Sequence, residues 1–82
     1  MTLYIRPRQD YSLARMSKIL YVLHRNGIPH NPTLVIDPVT HQTELRISLS
    51  TLSKQMCEMY IELICKETDA ITKDFKIVEM SE

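Results

Sequence analysis

"FKIVEM", residues 75–80, decides how this chain folds. Read as a strand, it closes a β-α-β-β-α-β order. Read as more of the preceding helix, or as a loop, it leaves a sheet of only three strands. Phe, Ile and Val favour the strand. Neither Gly nor Pro occurs after Pro38 to mark where the preceding helix stops.

The segments upstream are written more plainly. In "TELRISL" (43–49), Leu45, Ile47 and Leu49 alternate with Glu44, Arg46 and Ser48, the pattern of a strand with one buried face. "TLVID" (33–37) reads as its hairpin partner, because "DPVTHQ" puts an Asp at a turn start and a Pro behind it. "TLYI" (2–5) reads as the first strand, ended by Pro7.

"DYSLARMSKILYVLHRNG" (10–27) is the clearest helix, capped by Asp10 or Ser12. At 100° per residue, Leu13, Met16, Ile19, Leu20 and Leu23 fall on one arc expected to face the core. The helix is expected to end at Asn26. Gly27 can take the left-handed conformation, Ile28 can fold back on Leu23, and Pro29 forbids continuation. Ser50 or Thr51 opens a second helix, "TLSKQMCEMYIELICKETDA" (51–70), whose other face is acidic at Glu58, Glu62 and Asp69.

These elements predict a single α+β domain over residues 1–82. It is a compact two-layer sandwich in the βαββαβ, ferredoxin-like order, with two helices on one face of a mostly antiparallel four-stranded sheet. So short a chain buries only roughly 60–65% of its unfolded surface, and a partner would add useful stability.

Composition excludes more than it assigns. The single Gly rules out a glycine-rich phosphate cradle. His24, His30 and His41 lack a second ligand at metal spacing, so no metal or cofactor is expected. Cys57 and Cys65 stand eight residues apart on one helix, about 12 Å, too far to bridge. Reduced thiols and a cytoplasmic location follow most simply. No signal peptide and no apolar run of ~20 residues stand out, so no membrane insertion is expected. Without a nucleophile–base pair in context or paired carboxylates, no catalytic residues are assigned and no enzyme is expected. "LYIR" (3–6) has the shape of the first RNA-binding motif of an RRM, with Tyr4 where a base would stack. "TELRISL" offers no aromatic to complete it, and that reading is rejected.

Zero net charge hides an asymmetry. Residues 1–30 carry Arg6, Arg8, Arg15, Lys18 and Arg25 against Asp10 alone, whereas the remainder carries five basic and nine acidic side chains. Two surfaces follow. On the first, Tyr11, Arg15, Lys18, Tyr21, Val22 and Arg25 lie opposite the core stripe of the first helix, extended by Arg8. Tyr and Arg are the residues that dominate protein interfaces. The second helix has an apolar arc of about 200°, wider than the ~100° a core needs, with Cys57, Ile61 and Ile64 at its edge. The first surface is expected to bind a protein partner with an acidic surface, and the second to form a homodimer. The expected function is a small non-enzymatic binding module, a regulator, inhibitor or adaptor that occludes a larger protein. Its size and spare composition would suit a phage or mobile element. The alternative is nucleic-acid binding by the basic face of the first helix, which zero net charge disfavours.

Overall fold

The computed structural model describes residues 2–49 and 53–80. The chain runs β1 (Thr2–Pro7), α1 (Leu13–Arg25), β2 (His30–Ile36), β3 (Thr43–Leu49), α2 (Lys54–Glu67), a 3₁₀ turn (Thr72–Asp74) and β4 (Phe75–Met80). The strands form one antiparallel sheet in the order β2-β3-β1-β4. Residues 75–80 are the fourth strand, and the fold is the α+β, ferredoxin-like one.

The sheet's helical side carries the core. Ile5 of β1 stands opposite Ile47 of β3 and Ile77 of β4. Leu3, Ile5, Leu45, Ile47 and Leu49 are buried, as the alternation in β3 predicts. Cys57, Ile61 and Ile64 of α2 close over them together with Met16, Ile19, Val22 and Leu23 of α1.

Strands β1 and β2 and helix α2 have other bounds than the sequence predicts. β1 runs on through Arg6 and Pro7, which pairs with Phe75 at the strand's end. β2 begins at His30 and contains Pro32. The ring is tolerated because β2 is an edge strand, where a residue that cannot donate can face away from the ladder. α2 begins at Lys54, capped by the Ser53 hydroxyl accepting from the Met56 amide at 3.3 Å. Ser50, Thr51 and Leu52 lie outside the described residues. α2 stops without Gly or Pro. The Thr68 hydroxyl donates to the Ile64 carbonyl at 2.7 Å and accepts from the Ala70 amide at 3.2 Å, turning the chain out of the helix.

α1 starts one residue after Ser12, whose hydroxyl accepts from the Arg15 amide at 3.2 Å. At its other end Asn26 is the C-cap, and Gly27 takes φ +68°. The Gly27 amide donates to His24 and the Ile28 amide to Leu23, both at 3.0 Å, a complete Schellman closure. A Cβ at position 27 would meet nothing within 4 Å, so its cost is conformational alone. Gly27→Ala is expected to lower stability by ~1 kcal/mol in urea melts. An unchanged midpoint would contradict this helix end.

Candidate functional site

The face of the first helix expected to point outward is packed in part against the rest of the chain. Tyr11 and Val22, read from the sequence as exposed contact residues, are each only 6% exposed. Two physical reasons account for the correction. Tyr11 precedes the Ser12 cap, so helical periodicity does not apply to it. Val22 does lie on the helix, but the buried arc is rotated toward it. At 100° per residue Val22 sits about 60° to one side of Ile19, and Leu13 about 120° to the other. The structure buries the Val22 side and leaves Leu13, expected in the core, 66% exposed.

Tyr11 fastens α1 to the start of β4. Its hydroxyl donates to Asp74 at 2.6 Å, and its ring meets Phe75 edge-on, 6.2 Å between centroids. The Arg15 guanidinium lies 4.2 Å from the Tyr11 ring centroid. Burial, the Asp74 hydrogen bond and the Asp74 charge push the Tyr11 hydroxyl up to about 12.

The cations of this face already have acidic neighbours in their own chain. Arg8 pairs with Asp10 at 2.8 Å and approaches Asp74 at 3.7 Å. Arg15 lies 3.8 Å from Asp69, and Arg25 pairs with Glu67 at 3.1 Å. Such exposed pairs contribute little stability, but they neutralise the basic face. Lys18 has no ion pair among the described residues. With Tyr21, Val22 and Arg25 it lines an open groove of about 460 Å³ against Glu67, Thr68 and Asp69. Acidic groups of the chain itself, Glu67 at the end of α2 and Asp69 just beyond it, thus stand against this face.

The expected dimer surface is likewise consumed. Cys57 and Ile64 are fully buried and Ile61 is 6% exposed, all in the core of the same subunit. The arc is wide because α2 packs on β1 and β4 below and on α1 at its side. Of its large apolar groups among the described residues, only Met59 is mostly exposed. Burial, followed by nearby acids, raises both thiols, Cys57 beside Glu58 and Cys65 beside Asp74 and Glu62. The raised values disfavour the thiolate form of both.

The open face of the sheet holds Tyr4, buried beneath its neighbours, with the Arg46 guanidinium 5.5 Å from its ring centroid. Glu44 accepts from Arg6 and Arg46 at 3.1 Å each. Burial opposes its ionisation, but those two arginines outweigh it and hold the carboxyl below its usual range. Among the described residues no exposed aromatic ring stands on that face. Of the histidines, His24 and His41 are exposed, whereas His30 is half-buried with Nδ1 2.8 Å from the Ile28 carbonyl. Among the described residues no group of three or more His, Cys, Asp or Glu could hold a metal ion, and no helix is long and apolar enough to cross a membrane.

The surface that sequence reasoning missed lies on the other flank of α1. Leu13, Met16 and Leu20 of α1 and Pro32, Leu34 and Leu45 of the sheet line a hollow of about 240 Å³, with Ser17 as its polar member. Leu34 is 53% and Ile36 63% exposed on the helical side of β2. The signal was present in "HNPTLVI". It has no charge, a proline that marks an edge, and two large aliphatic residues two apart.

The Tyr11 contact has a pH signature. A hydroxyl raised from 10 to about 12 on folding contributes stability that is intact below pH 10 and is lost as pH rises through 12. The loss is on the order of 1–3 kcal/mol. Urea melts from pH 9 to about 12 should therefore show a steeper decline for wild type than for Tyr11→Phe. Parallel declines would contradict the assignment.

No protein-family model matches the chain, and no significant match to a curated protein is found.

Proposed function

We propose that this protein is a small non-enzymatic binding module, a regulator or adaptor that acts by covering part of another protein, with the α1–β2 flank as its contact surface. One observation carries the reading. Leu13 and Leu34 line an apolar hollow yet remain more than half exposed, as does Ile36 on the same edge strand, which carries no charged side chain. Large aliphatic groups gathered around a concavity mark an interaction site, where scattered ones do not. Adding a strand to an open edge supplies main-chain hydrogen bonds at once, and a hollow beside it takes side chains. Two free cysteines fit a reducing, cytoplasmic setting. Nucleic-acid binding by the first helix loses support, because Arg8, Arg15 and Arg25 all have acidic neighbours.

The test is a quantitative pull-down from the native host with wild type, Leu34→Lys and Lys18→Glu as baits, each checked for an unchanged fold by circular dichroism. A protein recovered by wild type should fall at least about tenfold with Leu34→Lys and persist with Lys18→Glu. The reverse pattern would move the site to the charged groove.

A further inference from the structure

We propose that the occupant of the α1–β2 flank is a second copy of this chain, paired antiparallel through residues 33–37 across a two-fold axis at Val35. This rests on the reading of that flank as a protein-binding surface, and it names the partner.

The backbone fixes what the edge offers. In an antiparallel strand the N–H and C=O of one residue point to the same side, and the side alternates along the chain. The Asp37 amide donates inward to the Gln42 carbonyl at 2.9 Å. Residues 31, 33 and 35 therefore turn toward β3, and His30, Pro32, Leu34 and Ile36 turn to the open edge. Pro32 has no donor, and its ring occupies the gap a neighbouring strand would need. Pro38 stands at the other end. Between the two prolines only Leu34 and Ile36 present both a free N–H and a free C=O.

Those two groups are complementary to themselves. With the axis at Val35, Leu34 of one copy stands opposite Ile36 of the other, and each such pair exchanges two hydrogen bonds. Two symmetry-related pairs give four. An axis at Thr33 would instead press the Pro32 ring against Leu34 of the second copy. The chosen register joins the two sheets into one of eight strands.

Charge and side chains agree with the backbone. β2 carries no Asp, Glu, Lys or Arg, whereas β4, at the opposite edge, exposes Lys76 and Glu79. Charged side chains on an edge strand discourage pairing, so one edge is guarded and the other is not. In the Val35-centred register Asp37 falls opposite Thr33 of the second copy, so like charges do not meet. Leu34 and Ile36 become a cross-strand aliphatic pair beside Leu13, and Val35 meets its counterpart on the open face.

Sedimentation velocity and disulfide trapping test the proposal together. Wild type should be a dimer at ~10–100 µM, and Ile36→Lys a folded monomer. Val35→Cys should form a disulfide-linked dimer on mild oxidation, beyond the background of wild-type Cys57 and Cys65, and Thr33→Cys should not. A dimer that survives Ile36→Lys, or trapping by Thr33→Cys in place of Val35→Cys, overturns the proposal. So does a wild type that stays monomeric throughout. The broader reading then stands if the pull-down still recovers a different protein sensitive to Leu34→Lys, and falls if it does not.

Discussion

The hydrogen bond from Tyr11 to Asp74 sets where the first helix lies, and the surface of the molecule follows from that placement. It joins the residue just before the Ser12 cap to the last residue before β4, at the sheet edge farthest from β2. With Phe75 against the ring, the start of α1 is held toward β4. Val22 then turns toward the end of α2, and the helix is committed to packing on its neighbour. A helix can bury only one stripe. Turning that stripe toward α2 takes it away from β2, and Leu13 is the residue left outside.

One rotation therefore explains two features that seem unrelated. Arg15 and Arg25 of α1 meet Asp69 and Glu67 because the helix leans toward the end of α2. The aliphatic groups of β2 are uncovered because the helix does not lean over them. Leaving Leu13, Leu34 and Ile36 more than half exposed forgoes part of the roughly 1.5–3 kcal/mol that full burial of each would supply, which matters for a domain whose net stability is small. A contact that covers the flank recovers part of it. In this account assembly completes the fold as well as serving recognition.

Most of the architecture was legible in the sequence. The alternation of Leu45, Ile47 and Leu49 located the central strand and its buried face, and the Gly27-Ile28-Pro29 stop located the end of α1 to within one residue, with Asn26 as its cap. Both are local signals, carried by side-chain period and backbone chirality. The site was less legible for the same reason. Whether Val22 or Leu13 is buried depends on how far α1 is turned, and that turn is set by Tyr11 meeting residues more than sixty positions away. Hydrophobic periodicity gives the width of an apolar arc and not the direction in which the fold points it. The over-wide arc of α2 failed as a sign of dimerisation on similar grounds, because a helix with a neighbour at its side needs more than one sheet-facing stripe. The charge asymmetry between the two halves was real, but it resolved within the chain.

The most direct measurement is amide hydrogen exchange along β2, followed by NMR as protein concentration is raised. The account predicts that the Leu34 and Ile36 amides, which face away from β3, exchange quickly at low concentration. They should become protected together as the chain associates, while the Thr33 and Val35 amides stay protected throughout. Leu34 and Ile36 amides that exchange freely at the highest attainable concentration would contradict it.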